Sequence, residues 1–221
     1  MQASDLSDPV KFWSVQFMEH GEFLYRLIDG DKYPQLKQQA KQAQENWMKV
    51  VQSGDYRQVP ALLQQLKLLK TDVLTRKLRG EDISPALYPS LVTHMLSELS
   101  YFERVLEGTI TPQEELQFLL QEAMEHTKLA GLMLDPTEKT LINKTLGMAE
   151  DLEIAADDPL ASSSVDVYLD SNDAAVELYE NLQDRRVLAA LTPKMLAHEI
   201  REGQYGATRL DYLKSFLDIE Y

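Results

Sequence analysis

The sequence predicts an all-α protein made of two duplicated four-helix bundles, and three observations carry that expectation. Apolar residues recur at three- and four-residue spacing through most of the 221 residues, the spacing of one face of a helix. No short alternating run bounded by turn residues reads as a strand. A set of short matches repeats the first half of the chain in the second.

The elements follow in order. Glycines at 30, 54, 80 and 108 fall where periodic segments end, placed for the left-handed position just after a helix. They divide the first half into helices over 8–29, 33–53, 55–79 and 84–107. Asp8-Pro9 supplies a cap and a first-turn proline, and Ser84-Pro85 reads as a similar start. The next helix opens at Thr111-Pro112-Gln113-Glu114, which combines a threonine cap, proline at the first helical position and a glutamate spaced for a capping box. That start marks a domain boundary, giving one bundle over 1–110 and another over 111–221. Further helices are expected over 135–156, 163–186 and 192–217, with a loop of Asp, Pro and Ser at 157–164 between the first two.

The self-similarity has a particular content. At an offset of 106, Phe12, Met18, Glu19 and His20 recur as Phe118, Met124, Glu125 and His126. At an offset of 104, Pro89, His94, Glu98 and Tyr101 recur as Pro193, His198, Glu202 and Tyr205. The chain has only four histidines, and all four lie in these matches. Elsewhere the halves diverge, so what is shared gathers around residues able to ligate a metal.

The pattern His-x-x-x-Glu-x-x-Tyr places its three side chains within an arc of roughly 60° on a helix turning about 100° per residue. Leu91, Phe102 and Val105 share or flank that arc in the first copy, so His94 and Glu98 face the interior. A buried, unpaired carboxylate costs several kcal/mol, so something must compensate it. On the first helix Trp13, Phe17, His20, Leu24 and Leu27 form one apolar face, with Glu19 displaced toward its edge. His126 sits likewise among Leu119, Ala123, Ala130 and Met133. Because an up-down-up-down bundle returns its fourth helix beside its first, His20 meets His94 and Glu98, and His126 meets His198 and Glu202. Two imidazoles and a carboxylate suit Fe(II), Mn(II) or Zn(II) with positions left open. Glu19 and Glu125 are candidates to close the site or bridge a second ion, and Tyr101 and Tyr205 to support it from outside the ligand set. A His-Glu pair at this spacing also occurs as a simple hydrogen bond that stabilises a helix. Its reappearance with the same partners favours the metal reading.

Composition narrows the field. With no cysteine, disulfides, thiolate metal sites and cysteine nucleophiles are excluded, and only His, Asp and Glu remain as strong ligands. The N-terminus shows no basic-then-apolar leader and no run of about 18 apolar residues follows, so the expected compartment is the cytoplasm, with no membrane span. A net charge of -14 disfavours nucleic acid, whose phosphates call for a basic surface. The acids concentrate in the second half, and residues 145–184 hold eleven of them with no Lys or Arg. That stretch is either a solvated helix face or a docking surface for a basic protein. Phosphate-cradling glycine motifs, a G-x-S-x-G elbow and an H-E-x-x-H pair are all missing from the sequence.

Phe12-Trp13 followed by Glu19-His20, the helix of His94, Glu98, Tyr101 and Phe102, and their repetition through His126 and His198 together resemble an uncharacterised family best known from Bacillus. Its members are tandem ferritin-like or hemerythrin-like bundles with a metal site. The resemblance spans most of the chain. It implies two similar bundles, with coordination by His20, His94 and Glu98 in one and by His126, His198 and Glu202 in the other, and it supplies no reaction. The sequence departs from ferritin-like diiron proteins in lacking Glu-x-x-His at the relevant positions. It has fewer histidines per bundle than hemerythrins or the DinB type use.

The functional expectation is therefore a metal-binding helical protein, with iron ahead of manganese and zinc. Two alternatives accompany it: an iron- or manganese-dependent oxidoreductase that activates oxygen, and a metal-free acidic adaptor that binds a basic partner at residues 150–184. Whether the protein is an enzyme is left open.

Overall fold

The computed structural model describes residues 8–161 and 163–217. Most of the N-terminal stretch read for a leader lies outside them. Among the described residues the fold is all-helical, with α1 (Pro9–Leu27), α2 (Pro34–Ser53), α3 (Val59–Leu78), α4 (Pro89–Glu107), α5 (Pro112–Met133), α6 (Lys139–Asp157), α7 (Ser164–Gln183) and α8 (Pro193–Leu217). The chain divides into two compact units, Met1–Thr109 and Ile110–Tyr221, each with four of these helices.

In the first unit, the Asp8 carboxylate accepts from the backbone N–H groups of Val10 and Lys11 at 3.0 and 3.2 Å, satisfying donors that a helix start leaves orphaned. α1 and α2 pack closely because Gly21 lets the Gln44 backbone approach: a Cβ at Gly21 would lie 2.7 Å from Gln44 N. The core is aromatic. Phe17 meets Trp13, Trp47 and Phe102 at ring-centroid distances of 5.6, 5.3 and 5.5 Å, and all four are almost wholly buried. Removing each ring from water contributes about 2 to 3 kcal/mol. α1 also meets α4, which brings the first helix beside the fourth.

Several boundaries differ from the sequence expectation, each for a local reason. The fourth helix begins at Pro89 and not at Ser84. A helix running through both prolines would deny the Pro85 carbonyl its donor, since Pro89 has no N–H. Ser84 caps a single turn instead, its Oγ accepting from Ala86 N at 3.3 Å, while Ile83 and Leu87 enter the core with no exposed surface. Residues 56–58 form a 3₁₀ turn ahead of α3, opened by Asp55, whose carboxylate accepts from Arg57 N at 3.2 Å, and Pro60 follows in the first turn of α3, where a missing N–H costs nothing. Gly54, Gly80 and Gly108 take positive φ, as expected, but Gly30 does not. Its role is steric: the Lys37 stem passes 2.7 Å from where a Cβ would stand and carries the ammonium to the Ile28 carbonyl at 3.0 Å.

In the second unit α5 opens with the anticipated capping box: Thr111 Oγ1 accepts from Glu114 N, and the Glu114 carboxylate accepts from Thr111 N. α6 starts at Lys139, later than expected. Its approach is occupied by a short antiparallel contact in which Asp135 N donates to Leu188 O and Ala190 N to Met133 O, both at 2.8 Å. α7 stops at Gln183 because Arg185 adopts a left-handed conformation with φ 56°. No glycine marks that stop. The core here is mainly aliphatic, around Leu116, Leu120, Leu152 and Val165. A bidentate ion pair ties α8 to α5, Arg209 donating to the two Glu115 oxygens at 2.7 and 2.9 Å. All eleven acids of the 145–184 stretch are exposed, and the six on and just past α7 follow three- and four-residue spacing.

Tyr168 and Asn172 of α7 insert against glycines of α8. Both donate to the Gly203 carbonyl at 3.1 Å, and a Cβ at Gly206 would overlap the Tyr168 hydroxyl. Gly206→Ala should therefore lower stability by about 1 to 3 kcal/mol. Gly147→Ala, in α6 where a Cβ meets nothing within 4 Å, should raise it by about 0.5 to 1 kcal/mol. Urea unfolding of the two variants checks the opposite signs.

Candidate functional site

In the first unit α1 presents His20, and α4 presents His94 and Glu98 one turn apart. His20 Nε2 lies 3.1 Å from Glu98 Oε2, and His94 Nε2 lies 3.0 Å from Glu98 Oε1. Each carboxylate oxygen thus faces one imidazole. Exposure is 1% for His20, 4% for His94 and zero for Glu98.

Behind His20 stands Lys70 of α3, whose Nζ is 2.9 Å from His20 Nδ1 and donates to the Met95 carbonyl. It has no exposed surface and lies 5.6 Å above the centre of the Phe17 ring. Leu63, Leu66 and Val73 are buried with it on α3, each within about 60° of it around the axis, so helix geometry carries this lysine into the core.

The second unit repeats the arrangement atom for atom. His126 Nε2 of α5 lies 3.1 Å from Glu202 Oε2, and His198 Nε2 of α8 lies 3.3 Å from Glu202 Oε1. A second carboxylate approaches, with Glu122 Oε1 3.8 Å from His126 Nε2. Tyr168 is fully buried here, and its burial pushes the hydroxyl well above the usual phenol range.

The four carboxylate oxygens of Glu98 and Glu202 share an unusual condition. All are buried, and an imidazole nitrogen lies within 3.0 to 3.3 Å of each, yet these contacts are poorly aligned as hydrogen bonds, that of His94 to Glu98 coming nearest to one. Buried polar atoms are ordinarily satisfied. Burial alone would push Glu98 up, but the charge of His20 and His94, the hydrogen-bonding contact of His94 and, last, the charge of Lys70 together hold its carboxyl well below the ordinary range.

The carboxylates that gather with histidines are Glu98, Glu122 and Glu202; Glu19 and Glu125 are not among them. Glu19 is buried on α1, and half-buried Glu125 accepts from Gln121 Nε2 at 3.2 Å. The internal repeat singles out Glu125 because it matches Glu19, whereas Glu122 matches Gln16 and so passes unmarked. Its signal was its place four residues before His126, on the same face. Lys70 has no basic counterpart on α7, which contains neither Lys nor Arg. Tyr101 and Tyr205 are both buried, Tyr101 edge-on to Trp13 at 5.6 Å.

Fold and site together define a class: an all-helical protein whose buried His/Glu groups could hold a metal ion. No described helix is long and apolar enough to cross a membrane. No family model matches the sequence. The chain is similar to uncharacterized protein L567 of Acanthamoeba polyphaga mimivirus, 27% identical over 161 residues that cover 61% of this chain and 49% of that one. It therefore spans about half the length of that relative. It is also similar to the crystal structure of an uncharacterized protein from Bacillus cereus G9241, with a TM-score of 0.85 over 98% of this chain and 92% of that one, at 18% identity. That likeness is one of fold.

Glu98→Gln removes the anion from between buried cationic groups, so it should destabilise the metal-free protein at neutral pH by about 3 kcal/mol. The depressed folded-state carboxyl contributes stability that is complete above its ordinary value near 4.5 and is lost as pH falls through the folded-state value. The gap between wild type and Glu98→Gln should accordingly narrow in acid. Chemical unfolding of both proteins between neutral pH and about pH 3 would show a constant gap if Glu98 were not ionised in the fold.

Proposed function

We propose that the chain is a metal-binding protein made of two duplicated four-helix bundles of ferritin-like or hemerythrin-like type, over residues 1–110 and 111–221. One observation carries the reading. A buried glutamate lies between two imidazole Nε2 atoms at 3.0 and 3.1 Å in contacts poorly aligned as hydrogen bonds, and the same atoms recur in the same order in the second unit. A packing network would align each N–H on its oxygen. Ligands of one ion instead converge on a common point, and donors at about 2.0 to 2.2 Å from an ion stand roughly 3.0 to 3.5 Å apart.

His20, His94 and Glu98 would hold one ion, and His126, His198 and Glu202 the other, with Glu122 completing the second set. Neutral imidazole and carboxylate donors without sulfur suit iron, with manganese and zinc served by the same atoms. A bound ion would supply Lewis acidity and, for iron or manganese, a redox couple. The chain's own part is to hold the imidazoles and the carboxylates in place and, through Phe17, Trp13 and Phe102, to exclude water from the first cluster.

Protein purified without a metal-affinity tag should contain about one to two transition-metal ions per chain by elemental analysis, with affinity falling as pH drops through about 6.5, the free histidine value. Zero metal after anaerobic reconstitution with Fe(II), Mn(II) and Zn(II) would end the proposal. Within the first unit Glu98→Gln should lose its ion while Glu107→Gln, at an exposed position of the same helix, keeps it; equal metal content in the two would remove Glu98 from the ligand set. His94→Ala should empty the first unit alone, and loss of all metal from that one change would overturn the independence of the two sites. Iron-dependent oxygen consumption by the loaded protein would add a reaction to the binding.

A further inference from the structure

Two glycines follow Glu202 within about one turn of α8. At the offset of 104 that pairs His94 with His198 and Glu98 with Glu202, Gly203 matches Leu99 and Gly206 matches Phe102. Leu99 and Phe102 have no exposed surface and fill the core of the first unit. α8 thus gives up two core side chains beside a candidate ligand, although glycine inside a helix is itself unfavourable. If packing were the only demand on this turn, a leucine and a phenylalanine would meet it, as they do on α4.

What takes their place comes from α7. The Tyr168 hydroxyl and the Asn172 amide, one turn apart, both donate to the Gly203 carbonyl at 3.1 Å. Neither contact would survive a side chain on α8, since a Cβ at Gly203 would run into the Asn172 amide and one at Gly206 into the Tyr168 hydroxyl. The glycines therefore open the backbone itself to donors from the neighbouring helix. Gly203 lies about 100° and Gly206 about 40° around the axis from Glu202, so the grip falls on the flank of the face that carries His198 and Glu202. Consecutive Cα atoms are about 3.8 Å apart, and fixing the Gly203 peptide fixes the root of the Glu202 side chain. The carboxylate at its tip stands 3.1 Å from His126 Nε2 and 3.3 Å from His198 Nε2.

We propose that Tyr168 and Asn172 are positioning residues for Glu202: by holding the Gly203 carbonyl from α7 they set the rotation and height of the turn of α8 that bears this carboxylate, and so govern the metal ion it binds. This rests on the metal-binding reading and adds to it the residues that aim one ligand. Partners that orient a ligand from behind commonly change metal affinity by about ten- to a hundredfold when removed.

Titration of the full chain with Co(II), followed by the visible absorption that reports the number and geometry of its donors, tests this. The event in which Glu202 takes part is the one that Glu202→Gln abolishes. Tyr168→Phe, which keeps the ring and removes one donor, should weaken that event by at least about tenfold and alter its absorption band. Asn172→Ala, at a half-buried position, should act in the same direction and serves as the second variant if the phenylalanine does not fold, as judged by the helical far-UV spectrum. Leu213→Ala, about three turns further along α8 in the aliphatic core, should lower the urea midpoint at least as far while leaving affinity and band unchanged, which separates aim from stability. An unchanged affinity and band in either α7 variant that folds, an equal loss in Leu213→Ala, no effect of Glu202→Gln on any event, or a helical spectrum lost in both α7 variants would overturn the inference and leave metal binding standing. Absence of Co(II) binding in wild type would overturn both.

Discussion

At the middle of each helical unit sits a glutamate with almost no contact with water, 0% exposed at Glu98 and 4% at Glu202. An ionised carboxylate in such a place must be compensated on both oxygens or the fold loses several kcal/mol. Helix geometry provides one compensating imidazole cheaply, four residues earlier on the same helix. The other has to come from a different helix, so the first and last helices of a unit must meet at one level along their axes. The Asp8 cap and the Thr111–Glu114 capping box fix where the first helix of each unit begins, and the close approach at Gly21 sets how tightly α1 lies on α2. They matter because the carboxylate tolerates little misplacement.

The surroundings answer the same constraint in two ways. An aromatic wall and a buried lysine enclose the first glutamate, and the lysine stands 2.9 Å from His20 Nδ1. Aliphatic residues, a second carboxylate and a tyrosine hydroxyl enclose the other. The divergence in overall charge between the halves, visible as exposed acids on α6 and α7, thus has a small internal counterpart next to the histidines.

Much of this was legible in the residues. Helical periodicity, the Thr111-Pro112 start and the paired His-x-x-x-Glu patterns indicate eight helices and the side chains that meet, because those signals act within one or two turns. What escaped depends on partners distant in sequence. Lys70 reads as one more basic residue until α3 is packed against α1, and Glu122 is hidden because an internal repeat reports what two halves share and is silent on what one half adds. The Ser84-Pro85 start looked sound locally and was displaced by Pro89 and by the burial of Ile83 and Leu87. The end of α7 at Arg185 carried no glycine to announce it.

The notch at Gly206 has a consequence for how this chain can vary. Because the Tyr168 hydroxyl occupies the space where a side chain at 206 would begin, the two positions cannot change freely one at a time. A methyl group at 206 costs less once the ring at 168 loses its hydroxyl, although the ring carbon that bore it still stands 2.8 Å away and must shift, and a shortened ring alone leaves a gap beside a bare stretch of backbone. The cost of the pair is then less than the sum of the two single costs, and the route from one residue pair to the other passes through a weakened intermediate. A contact of one atom against one glycine makes two residues 38 positions apart behave, over many substitutions, as a single heritable unit.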